Sequence, residues 1–192
     1  MIAIPRGAAV APAAAVLLLA AGCASPSAGR DYMPLVPGNV WNYRVTTSAG
    51  QVSHRRLEIN SRHSKLTCRA TDGGRPSLWS WEDGFLSVQQ EGQRIYLLML
   101  PVHEGASWWT VTPEGVRVWC RVTGFAPVSV PAGTFPNCAQ VVMQPRGGKT
   151  EIRHWFARGV GWVKYSYGPI GGRPWMVREL TDFKVRTGED LR

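Results

Sequence analysis

The feature that most constrains this fold is the shortness of its apolar runs. Beyond residue 31 no stretch sustains a 3.6-residue apolar period, and short alternating segments are interrupted every few residues by turn chemistry. Alternation of this kind marks half-buried antiparallel strands. It predicts strands at Val40–Thr47, Val52–Asn60, Lys65–Thr71, Ser77–Glu82, Phe85–Gln90, Arg94–Leu100, Val116–Phe125, Val128–Val130, Ala139–Gln144, Glu151–Phe156, Trp162–Tyr167 and Trp175–Val185. Between them lie "TDGGR", "EDG", "EGQ", "PEG", "PAG", "RGGK" and "GPIGGR". Turns this short join neighbouring strands into an up-and-down meander. About a dozen strands cannot stay flat, so the expected fold is all-β: a single antiparallel meander forming a strongly curved sheet or a partly closed β-barrel. In Val130–Thr134, Pro131 presets the first corner and Gly133 takes the left-handed position that closes the hairpin. No linker interrupts 31–187, so one β domain is expected there, followed by a polar tail at 188–192.

The N-terminus reads differently. One cation, Arg6, precedes an apolar segment from Ala8 to Leu19, shorter than the roughly 20 residues a membrane-spanning helix needs. With small residues Ala20, Ala21 and Gly22 before Cys23, residues 1–22 are expected to be a cleaved signal peptide. The run Leu19-Ala20-Ala21-Gly22-Cys23 resembles the bacterial lipobox, with Ala20 where leucine is usual. That resemblance implies lipidation of Cys23 by a diacylglyceryl group and added acyl chains (palmitate among them), and hence a membrane partner through the lipid anchor. Residues 23–30 then form a linker reaching roughly 25 Å. Ala24 follows the cysteine in place of an inner-membrane retention aspartate, which implies the periplasmic face of the outer membrane.

Removing residues 1–22 leaves 170 of the 192 residues, enough for one domain with its own core. Arg6 is the one charged residue lost, so a net charge of +9 becomes +8. The cations are scattered, with Arg55-Arg56 the one adjacent pair, and an envelope address excludes nucleic acid as a partner. An oxidising compartment permits one disulfide among Cys68, Cys120 and Cys138. Alternation turns Cys68 and Cys120 inward and Cys138 outward. This ranks Cys68–Cys120 first and leaves Cys120–Cys138 open.

The chain carries nine tryptophans. Trp79 and Trp81 share a strand face and could form a stacking platform, but large aromatics also fill the wide core of a curved sheet. Core filling is the expectation, with Trp119 and Trp155 as exposed exceptions.

No catalytic or metal-binding residue emerges. His54, His63, His103 and His154 are dispersed, and "PVHEGAS" lacks the second histidine of a helical zinc motif. There is no G-x-S-x-G elbow, and Met143 stands where a phosphate loop ending in "RGGKT" would need its first glycine. No cofactor is expected.

Three stretches together resemble a family of bacterial envelope lipoproteins termed TapB-like: "YMPLVPGNVWNYRV" (Tyr32–Val45), "VSVPAGTFPNCAQVV" (Val128–Val142) and "HWFARGVGWVKY" (His154–Tyr165). Arg158 replaces a proline frequent in the last motif. The resemblance implies a lipid-anchored β-sheet domain and carries over no site residue. The expected function is a non-enzymatic binding or structural lipoprotein whose partner is another envelope protein or an apolar ligand. The alternatives are a carrier that cups an acyl chain in its curved sheet and, ranked lower, an envelope hydrolase. An apolar, aromatic pocket would favour the carrier; a histidine hydrogen-bonded to a carboxylate would favour the hydrolase.

Overall fold

The computed structural model describes residues 29–186, apart from residue 91. The leader, Cys23 and the tail at 188–192 lie outside the described residues. After a single 3-10 turn at Arg30–Tyr32 come twelve strands. They are β1 (Val40–Thr47), β2 (Val52–Arg62), β3 (Thr67–Asp72), β4 (Arg75–Glu82), β5 (Phe85–Gln90) and β6 (Gln93–Met99). The second half comprises β7 (Ser107–Val111), β8 (Arg117–Val130), β9 (Gly133–Pro145), β10 (Thr150–Ala157), β11 (Gly161–Pro169) and β12 (Met176–Lys184). All pair antiparallel in one sheet, in the order β6-β5-β4-β3-β2-β1-β12-β11-β10-β9-β8-β7. The sheet curls into a nearly closed barrel with one unsealed seam, between β6 and β7.

The meander is as expected, and β9 starts six residues before the predicted Ala139; two further differences have local causes. β7, "SWWTV", has no counterpart among the predicted strands, because adjacent tryptophans blur its alternation: Trp108 is buried while Trp109 is exposed. The two short strands predicted around Pro127 are one long strand, β8. Its register shifts between Ala126 and Val128, and a bulge is where a strand tolerates proline. Gly133 has the positive φ expected of it, +134°, but it opens β9 opposite Val130, so the turn is the two residues Pro131 and Ala132 and not a three-residue loop.

Side chains bridge the seam. The backbone N–H of Tyr96 on β6 donates to Thr110 Oγ1 at 2.8 Å, and its carbonyl accepts from Trp108 Nε1 at 3.0 Å. Phe85 packs against both Tyr96 and Trp108, with ring centres 4.8 and 6.4 Å away.

One end of the barrel is plugged by the segment before β1. Tyr32, Met33 and Val36 are buried there, and Trp81 Nε1 donates to the Met33 carbonyl at 2.9 Å. Asn39, fully buried, ties the segment before β1 to the chain leaving β12. Its Nδ2 donates to the carbonyls of Pro34 and Arg186, and its Oδ1 accepts from the Arg186 N–H. The β8–β9 hairpin extends past the barrel at this end and folds onto β12, where Ala132 N–H donates to the Leu180 carbonyl and Phe135 packs on Phe183.

Tryptophan mostly fills the core. Trp41, Trp79, Trp81, Trp108 and Trp162 are buried, so Trp79 and Trp81 form no platform. Trp119 is exposed as expected, and Trp155 is half-buried against the core.

The cysteines correct two expectations. Cys138 does not face outward: it and the adjacent Ala139 are both fully buried beside the β8 register shift, where strict alternation fails. No bridge joins Cys68, Cys120 and Cys138, which are free, buried thiols. Cys138 pairs with Ala126, six residues beyond Cys120 along β8. That offset is about 20 Å at strand rise, far beyond disulfide reach. Cys68 and Cys120 both point inward, but from β3 and β8 on opposite sides of the seam. Alternation shows which face a thiol occupies and says nothing of what stands across the lumen.

Candidate ligand-binding site

The end of the barrel opposite the plug opens into the lumen. A cavity of about 310 Å³ lies there. Its wall follows from period two: on β10, Ile152, His154 and Phe156 point inward, and on β12 Met176, Arg178 and Leu180 do so. Val88, Ile95, Leu97 and Met143 add aliphatic surface from β5, β6 and β9, and Trp79, Trp162 and Tyr165 add aromatic surface. The turn carrying Glu114 sits at the mouth.

Of the polar side chains that interrupt this wall, two are buried, Arg178 and His154. Arg178 is 6% exposed, and its Nη2 lies 3.0 Å from Asp72 Oδ1, which also takes a 2.8 Å bond from Arg55 Nε. The guanidinium rests on two rings, its carbon 3.9 Å from the centre of Tyr43 and 4.6 Å from that of Trp162. A buried charge survives where opposite charge and ring faces replace water. His154 is 3% exposed and enclosed by Phe156, Trp162 and Tyr165, with ring centres 5.0–6.0 Å away. Burial first, and the neighbouring positive Arg178 second, push its pKa down to about 3, so the ring is neutral. Burial raises the Tyr165 hydroxyl to about 12. The Tyr43 hydroxyl, also raised by burial, donates to the Trp162 carbonyl at 2.8 Å.

His154 makes no hydrogen bond to a carboxylate among the described residues. The other three histidines do not join it: His54 and His63 are exposed on and just beyond β2, and His103 lies in the loop before β7. The chemistry of the lumen is therefore enclosure: apolar contact, two aromatic faces and a fixed positive charge.

Sequence reasoning did not single out Arg178 or His154. A signal existed, since each is a polar residue at an inward position between apolar ones, but "MVREL" alternates on either phase until the strand's partners are known. On the outside, Trp109 and Trp119 meet edge to face at 4.9 Å, and the Arg117 guanidinium lies 4.6 Å from the Trp109 ring centre.

A Bacteroides fragilis protein assigned as exported, with a YmcC-like fold, superposes with a TM-score of 0.52 at 12% identity, covering 79% of this chain and 98% of its own. The fold is shared. A protein assigned as a lipoprotein from Parabacteroides distasonis reaches 0.46 at 11% identity over 80% of this chain and 98% of its own. Pseudomonas aeruginosa MucB, in complex with MucA, reaches 0.41 at 12% identity over 86% of this chain and 57% of its own. No protein-family model and no curated protein matches the chain.

Proposed function

We propose that this chain is a lipid-anchored protein of the bacterial envelope that binds an apolar molecule in its barrel lumen without transforming it. In this reading residues 1–22 are the leader, Cys23 carries the lipid, residues 23–30 are the linker and 31–187 form one binding domain. The assignment of the Bacteroides protein that shares the fold as exported is in keeping with an envelope address.

The observation that carries the reading is the lumen. It is about 310 Å³, at the small end of the ~300–1,000 Å³ range of ligand sites, and largely apolar and aromatic. A hydrolase would need a base poised near neutrality and within reach of its proton. His154, held near 3 and without a hydrogen bond to a carboxylate among the described residues, does not meet the first condition.

The test is recovery of the tagged native protein from solubilised envelope, with its bound small molecules identified by mass spectrometry. Ile152→Trp, which fills the lumen, serves as the control. A species that copurifies with the wild type and is lost from Ile152→Trp supports the reading. Identical extracts from the two proteins overturn it.

A further inference from the structure

Resting on that reading, we propose that the lumen's ligand ends in a carboxylate, docked against Arg178, Trp162 and His154. Each of these residues is at least nine-tenths buried, lines the cavity, and holds a nitrogen with no hydrogen-bond partner: Arg178 Nε, Trp162 Nε1 and His154 Nδ1. They are neighbours. Trp162 is the hub, its ring centre 4.6 Å from the guanidinium carbon and 5.0 Å from the His154 ring.

Arg178 Nε and Trp162 Nε1 can only donate, and neutral His154 can donate from Nδ1 in one tautomer. Buried donors are paired in nearly all folded proteins, and a purely apolar guest would leave these three bare in a low-dielectric wall. A guest with an acceptor end satisfies them together. The Tyr43 hydroxyl donates to the Trp162 carbonyl and accepts from none of the three nitrogens.

Charge selects an anionic acceptor. Arg55 and Arg178 share one carboxylate, Asp72, so this group retains one positive charge. The other acidic side chain lining the cavity, Glu114, lies in the exposed turn at the mouth. A carboxylate meets a guanidinium and adjacent N–H groups with charge-assisted bonds, the strong class of such contacts. The aliphatic wall of Val88, Ile95, Leu97 and Met143 remains for a short hydrocarbon tail.

The experiment titrates the full chain, in a fixed concentration of maltoside detergent, with carboxyl-¹³C decanoate and with decan-1-ol. These probes share a chain and differ at the head. Wild type is expected to hold decanoate about tenfold or more tighter than the alcohol. Arg178→Met should abolish that preference while leaving alcohol binding within about twofold. Trp162→Phe removes one donor without unpairing Asp72 and should cut the preference about threefold, so the result does not hinge on Arg178→Met folding. Equal affinity for the two probes, or a preference untouched by Trp162→Phe, overturns the carboxylate and leaves the apolar lumen standing. If neither probe binds, or if Ile152→Trp binds both unchanged, the lumen reading falls and this inference with it.

Discussion

Trp41 Nε1 donates to the carbonyl of Val160 at 2.7 Å, across 119 positions of chain. The contact joins two of the three stretches that carry the family resemblance, and Tyr43, two residues on, repeats it by bonding the Trp162 carbonyl. Gly161 lies between those carbonyls with φ +112°, and a Cβ there would stand 3.0 Å from Met33 Sδ and 3.1 Å from Trp41 Nε1. Trp41, Val160 and Gly161 therefore close the plugged end of the barrel, while Tyr43 and Trp162 carry the same two strands on to the lumen, where both rings support Arg178.

Gly161 and Gly133 separate backbone strain from collision. Both hold positive φ, but a Cβ on Gly133 would meet nothing within 4 Å. Gly133→Ala should cost about 1–2 kcal/mol from strain alone. Gly161→Ala adds the clash and should cost clearly more. Urea unfolding of the full chain measures both, and equal losses would refute the crowding at the plug.

The seam depends on a hydroxyl. Thr110→Val keeps the shape but leaves the Tyr96 N–H without its 2.8 Å acceptor, a loss of about 1–2 kcal/mol. Amide exchange at Tyr96 should accelerate, and Thr110→Ser should restore its protection. Protection unchanged in Thr110→Val would mean that this contact does not hold the seam.

His154 links stability to pH. Its folded pKa, about 3, lies below the ordinary histidine value of about 6.5, so the unfolded chain binds the proton more tightly. Its contribution is complete above pH 6.5 and declines as pH falls towards 3, with a limiting slope of about 1.4 kcal/mol per unit. Arg178 is the charge that faces it; the rest of its enclosure is the rings of Phe156, Trp162 and Tyr165. Stability curves of wild type and His154→Phe should diverge in slope across that window. Parallel curves would show that the ring is not buried neutral.

The thiols should be silent in the folded protein. Burial raises Cys120 to about 12 and Cys138 to about 11, and raises Cys68 as well. Labelling of Cys120 and Cys138 with a thiol reagent at pH 8 should run at least about 100-fold slower than for free cysteine, Cys68 should also be slowed, and all three should react on unfolding without reductant. Recovery of a single thiol under those conditions would reveal a disulfide and contradict the structure.

Alternation and turn residues were enough to determine an antiparallel meander, the inward set of most strands and the positive φ of Gly133 at its hairpin. Those properties are local: a period of two and a positive φ can be read a few residues at a time. Tertiary structure alone decided which residues meet. It recovered β7, whose paired tryptophans hid its phase, and turned Cys138 inward at a bulge. It kept Cys68 and Cys120 apart, and gathered Arg55, Asp72, His154, Trp162 and Arg178 at one lumen. The physical reason is closure. Curling a sheet brings strands distant in sequence across a common interior, and that arrangement is set by register and curvature summed over all twelve.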